Sequence, residues 1–584
     1  MTRVELSKEL GDLGGKLPQS LSWSQASTEF ANDRWSDEIP ELIQRWAEVR
    51  GYADKEAFEG FYKFRLKDLT DPMSLLGMDK AVERLLQAYQ TQERICVYAD
   101  FDMDGTPGLA LMLRGLHLCG FQNLTFFQPN RFDHGYGVHP DIVEAFIEDK
   151  KVELFVTIDV GITDVAAVAR AKELGVDFIV TDHHQAKEVL PDAVSVVNPN
   201  QPDCKSGLGY LCGTGVGFYL ILALRRALKE KGFLEQDFDP KSLLDCFAIA
   251  TLTDMVPVIK DNRVLVQHGL LELQKTKRRG LSHLMKELKI TQGPLSAQDV
   301  SIRLSPKLNA LGRMNSPVNA IDLFLVDDED KAFDFVKEVL QSHEKRVDIQ
   351  KQGESIIEDY LQQAGGFNHL FLFSEHFHKG VVGLLATKLV NRYGVPAFVG
   401  TVVDNKIVGS ARAPEGGNVL ASLEGASASL NKFGGHKAAA GFELQFDQAE
   451  SFSHGLLHYF NQLDSAKPVL TYHFEATIKE INNGFLPWMK TLEPLGKGFE
   501  PPLMKLSNLF VASVRVLKDV HLKLVLKDIS GDTIDALWFF VEDIEKKKKL
   551  SGQRVSVLAE PSRNEYMGRE SMQVFIRDLK VDSV

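Results

Sequence analysis

Short apolar runs, each closed by a cluster of polar groups, recur through the middle of the chain. Ile95-Cys96-Val97-Tyr98-Ala99, Leu154-Phe155-Val156-Thr157-Ile158 and Phe178-Ile179-Val180-Thr181 are brief and rich in strand-forming residues, which predicts buried strands. Leu124 to Phe127 predicts another. Leu109 to Leu113 and Val165 to Leu174 have helical spacing, with Thr106 as the expected N-cap of the first helix and Pro107 at its first position. Strand, helix and strand in succession imply a parallel sheet. A further apolar run, Leu243 to Thr253, follows.

These runs end in chemistry. The first leads into Asp100, Asp102, Asp104 and Gly105, the second into Asp159 and Gly161, the third into Asp182-His183-His184, and the last into Asp254. In a parallel sheet the strand ends line one edge, where ligands bind. Taken singly, each group is as well explained by a turn, a cap or a solvated acidic loop. Taken together, carboxylates this close repel unless a cation neutralises them. Asp102, Asp104, Asp159, His183 and Asp254 form an oxygen-rich set suited to manganese or magnesium rather than structural zinc. The set is large enough for two ions roughly 3.5–4 Å apart, the arrangement that serves phosphodiester hydrolysis, with Asp159 expected to bridge them.

Bulk properties change this picture little. The 584 residues exceed one core and imply two to four domains. MTRVELSKELGDLGGKLP has no apolar signal region, no run reaches membrane-spanning length, and five cysteines without a CxxC pair suit a reducing compartment, so a cytoplasmic location is expected. The net charge of −13 argues against a nucleic-acid partner only until it is divided. Residues 471–584 carry 17 Lys and Arg against 16 Asp and Glu, so the acidity belongs to the first four-fifths.

The flanking regions complete the layout. Residues 1–90 are expected to be a helical cover region without evident chemistry, and 327–365 a charged bridging helix. Residues 366–467 carry a second α/β pattern, with runs at Leu370 to Phe373, Ala397 to Val399 and Ile407 to Gly409. From 468 onward about five short strand runs predict an OB-like barrel. Arg515, Lys518, Lys523 and Lys527, with Trp538 and Tyr566, offer it charge and stacking planes for single-stranded nucleic acid; an ordinary solvated lysine face is the alternative.

The ordered motifs Asp100-Phe101-Asp102-Met103-Asp104-Gly105 and Asp182-His183-His184 resemble the DHH phosphoesterase superfamily. Within it the chain is similar to the RecJ family of bacterial single-strand-specific 5′→3′ DNA exonucleases. Pro129-Asn130-Arg131, Gly135-Tyr136-Gly137, Asn309-Ala310-Leu311-Gly312-Arg313, Ser410-Ala411-Arg412 and Gly434-Gly435-His436 extend the resemblance over some three hundred residues. It implies an α/β fold, with a parallel-sheet DHH catalytic domain over 91–326, a bridging helix, a DHH-associated domain and a C-terminal OB-like barrel. It implies metal ligands at Asp102, Asp104, Asp159, His183 and Asp254, supported by Asp100, Asp182 and His184. Arg131, Ser410 and Arg412 would hold the 5′ phosphate, with Asn309, Arg313, Gly434, Gly435 and His436 also on the substrate side. The second α/β unit would close over the metal lobe as a cleft. Single-stranded DNA is the implied substrate, two manganese or magnesium ions the cofactors, and single-strand-binding and helicase proteins of recombination and repair the partners. A phosphodiesterase for short oligonucleotides or cyclic dinucleotides, and a non-catalytic DNA-binding scaffold, are the rivals. The chain departs from the family pattern at Met103, at Pro107-Gly108 (Thr-Ser in the family) and at Val160 (Asn in the family), which removes polar groups close to the site.

Overall fold

The computed structural model describes residues 22–27, 35, 37–361, 368–463, 469–539, 541, 544–566 and 569–582. The chain divides into two compact units. One combines 24–305, 321–332 and 471–584; the other is built mainly from 306–320 and 333–470.

The first unit contains a five-stranded parallel sheet. Its strands are β1 (Ile95–Ala99), β2 (Leu124–Phe127), β3 (Leu154–Ile158), β4 (Asp177–Thr181) and β5 (Ser195–Val197), in the order β2-β1-β3-β4-β5. β1 and β3 are buried at every position, which is why they read as continuous apolar runs rather than alternating ones. From β1 the chain moves to one side for β2 and then to the other for β3. The crevice beyond the ends of β1 and β3 is therefore the topological switch point, where open α/β sheets bind ligands. Helices α1 (Gly105–Leu118), α2 (Val165–Glu173), α3 (Gly213–Glu230) and α4 (Leu244–Thr253) accompany the sheet. The last apolar run is thus a helix, buried from Leu244 to Leu252.

Helix α1 begins at Gly105, earlier than a Thr106 cap would allow. Asp104 occupies the cap position without a side-chain cap bond of its own. Instead Asp102 Oδ1 accepts the N–H groups of Asp104 and Gly105 at 2.8 and 3.1 Å. Pro107 still falls in the first turn, where its missing N–H costs no helix bond.

Of the expected cover region over 1–90, residues 1–21, 28–34 and 36 lie outside the described residues, and the described helices divide. The helix Met78–Thr91 accompanies the parallel sheet, whereas Glu41–Val49 and Lys55–Tyr62 join the core of the C-terminal region. Trp46 stacks on Phe485 and Phe499 and donates through Nε1 to the Glu500 carbonyl at 2.8 Å. Phe485 sits on a helix, Ile478–Leu492, in a stretch expected to be only strands; Thr477 and Glu480 start it with a reciprocal capping box.

A 33-residue helix, α5, spans Glu329–Leu361. The second unit then builds a mixed sheet from β6 (Leu370–Ser374), β7 (Ala397–Val403), β8 (Lys406–Arg412), β9 (Lys432–Gly435) and β10 (Ala439–Gln445), ordered β9-β10-β8-β7-β6. Helix α6 (Val382–Tyr393) packs on it. In the first unit, β11 (Met504–Leu517), β12 (His521–Lys527), β13 (Thr533–Trp538), β14 (Arg554–Tyr566) and β15 (Arg569–Val581) close a barrel through pairing of β11 with β14. Along β12, Leu522, Leu524 and Leu526 point into the core and the residues between them point out.

Candidate metal centre

The sheet register itself assembles the acidic edge. Ala99 pairs with Ile158, and Thr181 with Val197. The next residues continue the ladder: Asp100 N–H donates to Ile158, Asp159 N–H to Thr181, and Asp182 N–H to Val197. Asp100, Asp159 and Asp182 are thus anchored by their backbones in one row beyond three adjacent strands. Asp159 lies in the left-handed region (φ 62°), which aspartate tolerates better than most side chains. Asp254 joins from a different kind of element, the C-terminal end of α4.

Three overlapping groups of ligand atoms result, each within 4.8 Å: Asp159 with His183 and His184; Asp104 with His183 and Asp254; and Asp100 with Asp102 and Asp159. His183 Nε2 lies 3.2 Å from Asp159 Oδ1, 3.6 Å from Asp104 Oδ2 and 3.7 Å from Asp254 Oδ2. All five residues expected to bind metal are therefore together, with Asp159 and His183 each in two groups. Asp100 and His184, expected only as support, also present ligand atoms.

The electrostatics are those of a cation site. Asp159 Oδ1 and Asp100 Oδ1 are buried with no hydrogen-bond partner. Burial, reinforced by the neighbouring carboxylates, holds the Asp159 and Asp100 carboxyls well above the usual range. The same causes push Asp254 up to about 8. A buried carboxylate oxygen without a donor is costly, and a divalent cation supplies what it lacks. The residues present fit manganese or magnesium.

Asp182 behaves differently. Its Oδ1 accepts from the His183 and His184 backbone amides and from His184 Nδ1 (2.8 Å), and its Oδ2 from Ile162 N–H (3.0 Å). Burial alone would raise this carboxyl, but those donors outweigh it and hold it low. Burial would likewise lower His184, yet Asp182 raises it to about 9. Burial dominates at His183 and lowers it, leaving a neutral imidazole suited to coordination.

Several groups at the centre carry no obvious motif. The N–H groups of Gly213 and Thr214, opening α3, donate to Asp104 Oδ2 (2.6 Å) and Oδ1 (2.8 Å). Asn198 Nδ2 donates to the His184 carbonyl at 2.9 Å, and Asn200 Nδ2 to the His183 carbonyl. Gln128 Nε2 donates to the Asp100 carbonyl and to Thr106 Oγ1. A Gly-Thr-Gly at the start of an apolar helix is the signal that could have revealed the first pair, since helix N-termini hold anionic groups.

Of the substrate-side candidates, Arg131 belongs to this unit: its guanidinium lies 4.7 Å over the ring of Phe101, between the metal-site aspartates Asp100 and Asp102 in sequence. The others belong to the second unit. Ser410 and Arg412 alternate on β8, in register with Gly441 and Ala439 of β10. A Cβ on Gly383, in the first turn of α6, would come 3.0 Å from Arg412 Nη2 and 3.4 Å from Ser410 Oγ. Arg313 Nη1 donates to the Gly380 carbonyl at 3.2 Å, and Asn309 lies one helical turn before it. Gly434 and Gly435 end the exposed strand β9, and His436 follows in the turn to β10.

The barrel corrects part of the expectation. Trp538 is only 8% exposed and packs in the core, with Lys547 Nζ 4.2 Å from its ring, so it offers no open stacking plane. Lys523 is paired with Asp535 at 2.7 Å. Arg515, Lys518 and Lys527 are exposed, and the Tyr566 side chain lies outside the described residues. Phe510, 38% exposed and in register between Lys527 and Arg554, was not foreseen; Arg554 stands 5.3 Å from its ring.

Comparison with known proteins agrees with this layout. Residues 94–251 match the DHH family N-terminal domain, 366–462 the DHHA1 domain and 472–578 the RecJ OB domain. The single-stranded-DNA-specific exonuclease RecJ of Salmonella typhimurium is 31% identical over 93% of this chain and 96% of its own length. The chain belongs to the RecJ family. RecJ of Bacillus subtilis is also 31% identical, over 93% of this chain and 68% of that one. The crystal structure of RecJ with Mn2+ from Thermus thermophilus superposes with a TM-score of 0.76 at 26% identity, over 94% of this chain and 77% of that one. A RecJ structure bound to manganese matches at 30% identity and a TM-score of 0.57, over 68% of this chain and 96% of that one.

Proposed function

We propose that the chain is a metal-dependent exonuclease that hydrolyses single-stranded DNA from the 5′ end to 5′-mononucleotides, in recombination and repair. The observation that carries this reading is Asp159 Oδ1, buried without a donor on the residue that two of the three ligand groups share. Asp102, Asp104, Asp159, His183 and Asp254 would hold two manganese or magnesium ions, with Asp100 and His184 at their margin. When bound, such a pair lowers the pKa of a water and steadies the leaving oxygen of a phosphodiester.

The protein's own groups supply placement. Asp182 fixes the orientation of His184 and the turn carrying His183. Arg131, Ser410 and Arg412 suit a terminal phosphate, because guanidinium forks pair with phosphate oxygens and a hydroxyl adds a donor. Asn309, Arg313, Gly434, Gly435 and His436 complete the substrate side in this proposal. Arg515 and Lys527 of the barrel would follow the strand's phosphates, and Phe510 would give a base a surface to stack on.

The domain boundaries that accompany this function are 91–326 for the catalytic region, 327–365 for the bridging helix, 366–467 for the DHH-associated domain and 468–584 for the barrel. The two N-terminal helices over 41–62 are counted with the last. Single-strand-binding and helicase proteins are the partner class, and the cytoplasm the location; among the described residues no helix is long and apolar enough to cross a membrane. End-labelled single-stranded and duplex DNA, incubated with manganese, magnesium or chelator, tests the activity. Release of 5′-mononucleotides from single strands only, and only with metal, is expected; metal-independent cleavage or equal attack on duplex overturns it.

A further inference from the structure

Asp104 is gripped from an unusual direction. Three donors reach it from the first two residues of α3: Gly213 N–H and Thr214 N–H on its two carboxylate oxygens, and Thr214 Oγ1 on its backbone carbonyl at 2.7 Å. Thr214 is fully buried. The Asp104 carbonyl also accepts the ordinary helix bond from Gly108 N–H at 3.0 Å, so the hydroxyl takes its second lone pair.

The space for that hydroxyl exists because residue 108 has no side chain. A Cβ on Gly108 would lie 2.8 Å from Thr214 Oγ1 and 2.8 Å from Ile158 Cγ1. The approach of α3 is equally tight at its own glycine: a Cβ on Gly213 would lie 2.5 Å from Asp159 Cβ. Gly108 is also where the chain departs from the serine of the DHH resemblance. The position that lacks the serine and the Thr214 hydroxyl meet at a single point, beside the backbone of Asp104.

We propose that Thr214 is a positioning residue of the metal centre, its hydroxyl standing in for the side chain absent at Gly108 and fixing Asp104 for coordination. This rests on the reading of Asp104 as a metal ligand. Thr214 touches neither metal nor substrate; it acts through Asp104, whose carboxylate and carbonyl it holds at once. Removing its hydroxyl leaves the Asp104 carbonyl bonded to Gly108 N–H and the carboxylate bonded to the two amides, so the fold loses little while the backbone that aims the carboxylate gains freedom. Partners of this kind typically set metal affinity by 10–100-fold.

The test is Mn2+ titration calorimetry on the full chain, with the melting temperature in chelator as the measure of folding. Thr214→Val, which keeps the volume, is expected to weaken Mn2+ binding about tenfold with little change in melting. Thr214→Ser restores the hydroxyl and is expected to bind nearly as the native protein does. Gly108→Ser alone forces its Cβ against Thr214 and weakens binding, and adding Thr214→Ala is expected to recover part of the loss. Native Mn2+ affinity in Thr214→Val, or failure of Thr214→Ser to retain it, overturns the positioning role. A double variant that binds no better than Gly108→Ser overturns the substitution of one hydroxyl for the other. Absence of Mn2+ binding by the native protein overturns the metal-centre reading instead.

Discussion

The metal centre and the barrel treat charge in opposite ways. Beyond β1 and β3, carboxylates are buried together and two oxygens, on Asp100 and Asp159, have no donor. On the barrel, many cations already have anions: Lys523 has Asp535, Lys505 Glu475, Arg577 Glu560, and Arg563 both Glu493 and Glu570. The first arrangement costs free energy until a cation arrives, whereas the second is satisfied as it stands. Density of charged residues in sequence therefore says little about function. What separates the regions is whether the folded chain has already supplied each charge with a partner.

Neutralising the site's central carboxylate should have the largest effect. Asp159→Asn keeps the shape and tolerates the left-handed backbone, but removes the charge that two ligand groups share. A loss of about a thousandfold in kcat is expected, the upper end for removing one charge-stabilising group. Melting in chelator should be no lower than for the native protein, because one member of a crowded set of buried carboxyls has gone. For the native protein, Mn2+ at a hundred times its Kd should raise melting by about 5–10 °C, and for the variant that rise should largely vanish. A variant that melts early without metal would mean that Asp159 stabilises the fold on its own, and the contrast with the barrel would fail.

Trp538→Ala probes the opposite region. With its ring in the barrel core, the substitution should cost about 3–5 kcal/mol of stability, read by denaturant unfolding. Any loss of DNA affinity should follow the loss of folded protein. Weakened binding by a barrel of unchanged stability would return Trp538 to the surface role that its residue type suggested.

How much was legible follows from the same distinction. Four of the five parallel strands, and the acids one step past β1, β3 and β4, could be read because buried strands are continuous apolar runs and their ends face one edge. About five strands of the barrel were visible as short β runs, with partial alternation from His521 to Lys527. Less visible were partners contributed by remote backbone. The amides of Gly213 and Thr214 have no side-chain signature, and the pairing of Lys523 with Asp535 depends on the register of β12 and β13. Trp538 was misjudged because an aromatic residue at a strand end suits a core and a stacking surface equally. The N-terminal helices gave no sign of their destination: Trp46 meets Phe499 across more than four hundred residues of chain.

The smallest effects should come from the barrel's lysines, and their order tests whether a satisfied charge is a silent one. Each phosphate neutralised on a single strand contributes about 0.7 to the slope of log K against log salt. Lys527, exposed and in register with Phe510, should lose about that much on substitution by alanine. Lys523 is as well exposed as many surface cations, with 38% of its side chain accessible, but its ammonium already has Asp535. Lys523→Ala should therefore leave the slope nearly unchanged, and Asp535→Asn, by releasing the lysine, should steepen it by about 0.7. Equal slopes for Lys523→Ala and Lys527→Ala would mean that the Asp535 pair opens whenever DNA binds. Pairing on an exposed sheet would then be too weak to silence a cation, and only burial, as at Asp159, would separate a functional charge from a structural one.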